Sequence, residues 1–487
     1  IMLEPEIALT PQVLRIFRER FGSDVALLHS GLSAGERFDE WHRCLRGEAK
    51  IAVGARSAIF APLKNLGIII IDEEHEPSYL SESNTRYFTA DIAEFRRKYN
   101  ACKLVYGSAT PSIDSYLKAS AGEYKLVELT ERINERPLPK MQLIDMCGEM
   151  RTGNNGIFSR ALRASLEDCV KKGNQAMLYI NRRGYASFQM CRSCGFVKKC
   201  PNCDVSMVYH MDENVLKCHY CSAREDVLDR CPECGSEHIR MGAVGTERVT
   251  KEITAMLPNV KVARMDRDTT RTKDAMINLL SAFGRGEIQV LVGTQMIAKG
   301  HDFPNVTLVG VLDADMSLHV SDFRAAERTY QLITQVSGRA GRDEKEGTVL
   351  IQSYTPRHYV YRFALNNDYK GFFRKELNIR EITKYPPYCT IMRILTECDD
   401  EETGLDNLRG IFDGIKEISE EYKDSFIYFK AMRAPLKRIA GKHRQQILMR
   451  LADNNLDTVI PRIYNIVDKN RDSAVFCVTE LNPQNLS

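Results

Sequence analysis

Apolar runs alternating with helix-like stretches fill the first 140 residues, and this alternation predicts a parallel sheet. The clearest strand is Leu66–Ile71, whose last four residues are isoleucines and which ends at Asp72. A second, Lys103–Tyr106, ends at Gly107. Continuous β-branched runs mark strands buried on both faces. Functional loops in such sheets follow the carboxyl ends of the strands. Arg132 to Asn155 is rich in Pro, Gly, Asn and charge and reads as a linker region. A helix is expected from Ser159 to Lys172, followed by a strand at Gln175–Ile180. After a cysteine-rich interruption the alternation resumes at Gly242, with strands expected at Val260–Met265, Gln289–Val292, Thr307–Asp313 and Gly347–Ser353. From Pro356 the pattern changes again. The predicted fold is therefore α/β: a first parallel-sheet lobe (1–140), a linker (141–156), a second lobe (157–190 and 236–355) carrying a cysteine-rich insertion (191–235), and a C-terminal α+β domain (356–487).

Bulk numbers add limits rather than chemistry. With 487 residues, 43% hydrophobic and 27% charged, the chain has the composition of a multi-domain globular protein. A net charge of +3 from 68 basic and 65 acidic side chains leaves any basic surface to be local. No apolar run approaches the roughly 18 residues of a membrane span, and the start, Ile1-Met2-Leu3-Glu4, has no signal-peptide pattern. Of 15 cysteines, eight fall in close pairs and seven are scattered, which fits free thiols in a reducing cytoplasm better than a disulfide framework.

Asp72-Glu73-Glu74-His75 stands at the exit of the isoleucine strand. A nucleotide hydrolase needs one carboxylate for Mg²⁺ and another to orient and deprotonate the attacking water, and adjacent acids on a strand exit can serve both roles. The bland reading is a solvated acidic turn. Gly107-Ser108-Ala109-Thr110 follows the next strand and can link a hydrolysis site to a neighbouring lobe by hydrogen bonds. Two further segments lie in the second lobe: Val292–Phe303, which includes Gly300, and Gln335-Val336-Ser337-Gly338-Arg339-Ala340-Gly341-Arg342. Arg339 and Arg342, three apart, are expected on one face at the start of a helix, where their planar forks suit a γ-phosphate across a cleft. A solvated basic turn is the alternative. Gly300 and Gln335 join them as candidate nucleotide contacts.

Four Cys-x-x-Cys pairs, Cys191/Cys194, Cys200/Cys203, Cys218/Cys221 and Cys231/Cys234, supply eight thiolates, enough for two tetrahedral zinc sites. The spacing from Cys203 to Cys218 resembles a zinc-ribbon hairpin. The expected sets are Cys200, Cys203, Cys218 and Cys221 on one ion and Cys191, Cys194, Cys231 and Cys234 on the other, with sequential pairing as the alternative. Two filled sites leave no position for water, so both ions read as structural.

In this order the pieces resemble the superfamily-2 helicases, and within them the bacterial replication-restart helicases of the primosomal protein N′ family. The similarity runs nearly end to end, through Pro5-Glu6-Ile7-Ala8-Leu9-Thr10, Gly54–Phe60, Asn181-Arg182-Arg183-Gly184, Gly245-Thr246-Glu247 and Leu481-Asn482-Pro483-Gln484. The resemblance implies two RecA-like lobes and ATP-driven 3′-to-5′ unwinding of DNA. It implies recognition of forked or single-stranded DNA, work with primosome proteins and single-stranded DNA-binding protein, and a monomer in the bacterial cytoplasm. It assigns Asp72 and Glu73 to Mg²⁺ and hydrolysis, and Arg339 and Arg342 to the γ-phosphate. It makes the stretch from Tyr79 through Arg86 and Tyr87 an aromatic loop that senses DNA; a partly buried tyrosine pair is the other reading. The family's phosphate-binding loop, G-x-x-x-x-G-K-[ST], would precede Pro5, and this sequence holds no such segment. The expectation is a fragment with weakened ATP binding, and a non-motor zinc scaffold for DNA and primosome proteins stands as the competing function.

Overall fold

The computed structural model describes the chain except for residues 6–9, 82–85, 130–138, 181–187, 203–204, 211–212, 219–220, 222, 243, 267–268, 270–272, 295–302, 321, 342–344 and 485–487, and the side chains of 10–13 and 273–274. The first lobe is a five-stranded parallel sheet of β1 (Met2–Leu3), β2 (Val25–Leu28), β3 (Ile51–Gly54), β4 (Ile68–Ile71) and β5 (Lys103–Tyr106), in the order β2-β3-β1-β4-β5. Short β1 is its centre: Met2 pairs with Val53 on one side and Ile70 on the other. Leu3, Ala26, Ile59, Ile69, Ile71 and Tyr79 form the core against it.

The second lobe is a six-stranded parallel sheet of β6 (Lys140–Asp145), β7 (Gln175–Ile180), β8 (Val262–Met265), β9 (Val290–Gly293), β10 (Val306–Leu312) and β11 (Thr348–Ser353), in the order β8-β9-β7-β10-β11-β6. Every residue of the central strand β7 is buried. The helix ahead of it, Arg160–Lys171, starts where Ser159 accepts the Leu162 N–H at 3.1 Å. The expected linker at 141–156 is corrected here. Its first residues complete edge strand β6, paired with β11 from Lys140/Thr348 to Asp145/Ser353, and helix Met146–Arg151 follows. Ile144, Met146 and Cys147 are buried, so apolar side chains spaced among the Pro, Gly and charges outweigh the composition.

Four helices join the units. Helix α1 (Ile113–Ser120) follows the first sheet in the chain but buries Ile113 in the second lobe's core, with Tyr116 and Leu117 packed alongside. Helix α2 (Ala325–Ser337) lies in that same core through Tyr330, Ile333 and Val336. Helices α3 (Tyr359–Leu365) and α4 (Tyr369–Thr383) add Tyr361, Phe372 and Phe373. The second lobe's core therefore extends beyond the boundary expected at 356.

The C-terminal sheet is antiparallel: β12 (Thr390–Cys398), β13 (Phe426–Ile439), β14 (Lys442–Leu451) and β15 (Phe476–Leu481), ordered β13-β14-β12-β15, packed against helices Glu401–Glu421 and Leu456–Lys469. The insertion opens and closes with an antiparallel pair, Gln189–Cys191 against Ile239–Met241, and encloses a three-stranded meander of Val208–His210, Val215–Lys217 and Arg224–Asp226. Met207 and Leu216 of the meander share one apolar cluster with Tyr385, Ile391 and Leu448 of the C-terminal region. Among the described residues no helix is long and apolar enough to cross a membrane.

Candidate functional site

The acid turn is stitched into the sheet that precedes it. The Asp72 N–H donates to Leu3 O at 3.0 Å, the Gly107 N–H to Ile71 O at 2.8 Å, and the Glu74 N–H to Gly107 O at 3.1 Å. Glu73 takes a left-handed backbone (φ 44°), a strained conformation for a residue with a side chain, and its N–H donates to Asp72 Oδ1 at 3.0 Å. The turn separates the acids. Asp72 and Glu73 keep partial exposure, whereas Glu74 is buried. The Glu74 carboxylate accepts the Ser112 N–H at 2.6 Å and the Ser115 hydroxyl at 3.0 Å, and burial raises it to about 7. His75 Nδ1 lies 2.8 Å from Ser108 Oγ and 3.6 Å from Glu73 Oε2, so the Gly107–Thr110 loop touches the acid turn directly.

The second lobe meets this turn through α2. Gln335 Nε2 donates to Glu76 Oε1 at 3.4 Å, and Gln331 Nε2 to Thr110 O at 3.5 Å. Arg339 follows one turn beyond Gln335, its N–H on Val336 O at 3.1 Å. The expected placement of Arg339 at a helix start is corrected: α2 ends at Ser337, and Arg339 follows its carboxyl end. Gly341 needs to be glycine there, because its φ is +66° and a Cβ would lie 2.5 Å from Gly347 N. Arg342 and Gly300 lie outside the described residues, as do Glu6–Leu9 and Asn181–Gly184 of the motifs named above.

The aromatic loop divides. Tyr79 is 1% exposed; its hydroxyl donates to Asp72 O at 2.8 Å and lies 3.1 Å from Leu3 O. Tyr79 is thus a core residue that braces the acid turn, which corrects its reading as a base-stacking surface. Arg86 Nη1 pairs with Glu480 of β15 at 2.6 Å, and Arg393 holds the same carboxylate at 2.6 Å. Tyr87 is half-buried, edge-on to Phe60 at 5.1 Å between ring centres and with the Arg56 guanidinium 5.9 Å from its own.

The described cysteines of the four pairs fall into two groups. The sulfurs of Cys191, Cys194, Cys231 and Cys234 all lie within 4.8 Å of one another, and so do those of Cys200, Cys218 and Cys221. Cys203 lies outside the described residues. The Cys191–Cys234, Cys194–Cys231 and Cys200–Cys221 sulfur distances are 3.6, 3.5 and 3.5 Å. Four sulfurs about 2.3 Å from one zinc stand about 3.8 Å apart, so both groups are near the size of such a tetrahedron.

Family profiles match three parts of the chain: DEAD/DEAH box helicase over residues 1–118, PriA DNA helicase Cys-rich region domain over 200–225, and helicase conserved C-terminal domain over 241–344. Replication restart protein PriA of Bacillus subtilis (strain 168) is 55% identical over 388 residues, 80% of this chain and 48% of the relative. That of Treponema pallidum (strain Nichols) is 36% identical over 487 residues, 100% of this chain and 72% of the relative. The chain belongs to the PriA family of replication restart proteins. It spans about half the length of the Bacillus and Synechocystis PriA relatives, 48% and 49%. Among solved structures, RecG bound to a three-way DNA junction covers 77% of this chain and 39% of its own, with a TM-score of 0.43 and 17% identity.

In this PriA-family chain the motifs leave several site residues unmarked. Glu4, buried at the exit of β1, is raised to about 7 by burial and by the Asp72 and Glu73 charges. Glu76 and Gln331 complete the contact between lobes. The i, i+4 spacing of Gln331 and Gln335 on a helix was a usable signal; Glu4 carried none, because a two-residue strand has no readable period.

Proposed function

We propose that the chain forms the motor, zinc-binding and C-terminal parts of an ATP-dependent 3′-to-5′ DNA helicase of replication restart. The parent protein recognises stalled or abandoned forks and initiates primosome assembly. The observation that supports this most is the acid turn held against α2 by the Gln335–Glu76 and Gln331–Thr110 contacts, which sets the carboxylates of one lobe beside the helix that leads to Arg339 of the other.

In this reading Asp72 holds Mg²⁺, and Glu73 orients the attacking water and takes its proton. Arg339 and Arg342, with Gly300 and Gln335, bind the triphosphate. The donor set suits a hard cation: the exits of β1 and β4 bring the Glu4, Asp72 and Glu73 carboxylates together, and burial, with the Asp72 and Glu73 charges, raises the Glu4 carboxyl to about 7. Bound there, Mg²⁺ supplies charge neutralisation of the phosphates. The protein's own part is positional. The strained backbone at Glu73 and the Tyr79 brace fix both carboxylates before nucleotide arrives, and the Ser108–His75 contact links them to the loop that faces the second lobe.

Cys191, Cys194, Cys231 and Cys234 hold one structural zinc, and Cys200, Cys203, Cys218 and Cys221 the other. Forked or single-stranded DNA is the substrate, with Arg86 and Tyr87 near its path; primosome proteins and single-stranded DNA-binding protein are the partners of a monomer in the bacterial cytoplasm. The test is Glu73→Gln in the full-length protein. ATP turnover should disappear while DNA binding persists; unchanged turnover refutes the assignment. A wild-type protein with no DNA-stimulated ATP hydrolysis would leave the zinc scaffold as the function.

A further inference from the structure

The amino end of α1 is shared between the two lobes. Its Ser112 N–H donates to Glu74 of the acid turn at 2.6 Å, and the next N–H, of Ile113, donates to Glu327 Oε1 on α2 at 2.8 Å. Glu327 Oε2 pairs in turn with Arg380 Nη2 of α4 at 2.6 Å, and Arg380 Nε with Glu376 Oε1 at 3.1 Å. The Tyr359 hydroxyl donates to Glu376 Oε2 at 2.6 Å, and the Tyr369 hydroxyl to Pro111 O at 2.7 Å. Hydrogen bonds and ion pairs, joined through the Ser112–Ile113 backbone, thus lead from Glu74, next in the chain to the hydrolysis carboxylates, into the helix that precedes the C-terminal sheet. Arg324, just ahead of α2, acts on the Glu327 charge and donates to Pro483 O at 3.0 Å.

The charged members are buried, Glu327 at 6% exposure and Arg380 and Glu376 at 2% each. Burial alone would push the Glu327 carboxyl up, yet Arg380 and the Ile113 N–H hold it below its usual range. Asp114, Arg324 and Glu376 also face this group. Stability is a weak reason for such a pair, since desolvation cancels much of the attraction and apolar residues of like volume would pack as well. A fixed register between moving parts is a stronger one. Ile113, Tyr116 and Leu117 anchor α1 in the second lobe, so a shift of Glu74 must be carried by α1 or break at its end.

We propose that Glu327 is a positioning residue that couples ATP turnover at Asp72 and Glu73 to movement of α4 and the C-terminal domain, a proposal that rests on the helicase reading above. Removing its charge leaves the carboxylates that hydrolyse ATP in place but frees the joint between α1 and α4.

The experiment compares wild-type and Glu327→Gln full-length protein for DNA-stimulated phosphate release and for base pairs opened per ATP, with thermal melts as a folding control. Base pairs opened per ATP should fall by about tenfold, within the span of coupling effects from residues that touch neither ligand, while phosphate release changes by less than about threefold. Arg380→Lys, which keeps a cation in place, is the milder variant if Glu327→Gln does not fold, and it should lower the same ratio. An unchanged ratio, or equal losses in release and opening, overturns the proposal while the helicase reading stands. A wild-type protein without DNA-stimulated hydrolysis removes both.

Discussion

Tyr79→Phe separates a brace from a DNA contact. The ring sits among Leu3, Ile69, Ile71 and Ala93, at 1% exposure, and its hydroxyl donates to Asp72 O at 2.8 Å. Phe keeps the ring and removes the donor, so the loss is that of one buried hydrogen bond, about 1 kcal/mol. Tyr79→Ala also empties the ring's volume, for which a buried aromatic costs about 3–5 kcal/mol. A base-stacking tyrosine behaves differently: Phe would be neutral, and Ala would weaken single-strand binding by about 1–3 kcal/mol per base with stability intact. Urea unfolding midpoints and fluorescence anisotropy with an oligonucleotide at fixed salt measure the two quantities on the same protein. We expect Tyr79→Phe to lower stability by about 1 kcal/mol at unchanged DNA affinity. Unaltered stability in Tyr79→Phe, together with a Tyr79→Ala whose defect is confined to DNA affinity, would refute the burial argument.

Three further outcomes are expected. Glu4, raised from 4.5 to about 7, contributes stability that is complete below about pH 4.5 and is lost as pH rises through 7. Glu4→Gln should therefore match wild type near pH 4.5 and exceed it above pH 7 by about 2–3 kcal/mol, read from urea titrations across that range; parallel pH curves would contradict it. Elemental analysis should find two zinc ions per chain, and stripping them with a chelator should lower the melting temperature of the C-terminal domain as well as that of the insertion; one ion or none would undo the ligand sets. Gly195→Ala should weaken zinc retention at the first site, because φ is +81° and a Cβ would lie 2.2 Å from Tyr354 O. Gly235→Ala, with φ +68° but no atom within 4 Å, is the control and should be milder; equal effects would mean backbone strain alone is at work.

Sequence reading succeeded where chemistry is local. Four isoleucines in a row define β4 without help from the rest of the chain, and Cys-x-x-Cys spacing brings Cys191 to Cys234 and Cys200 to Cys221 once the meander folds. It failed where partners are distant or where one signal hides another. Pro and Gly around Lys140–Arg151 masked the apolar positions that fasten β6 to β11 more than 200 residues later. A Gly-Arg repeat read as a helix start, although a glycine directly after the periodic run Ala325–Ser337 is the usual sign of a helix end. The Tyr79 hydroxyl comes to rest 3.1 Å from Leu3 O, 76 residues away. Glu327 and Arg380, 53 residues apart, are each indistinguishable from a surface charge until the helices pack.

Cys200 and Cys218 belong to the same apolar cluster as Ile391 and Leu448, and the Lys430 ammonium on β13 reaches Cys221 O at 2.6 Å. The second thiolate group is accordingly a rivet through two plates. A displacement of the meander therefore bears on the antiparallel strands through these contacts. The set of the meander and that of the chain's last hundred residues are then one mechanical variable.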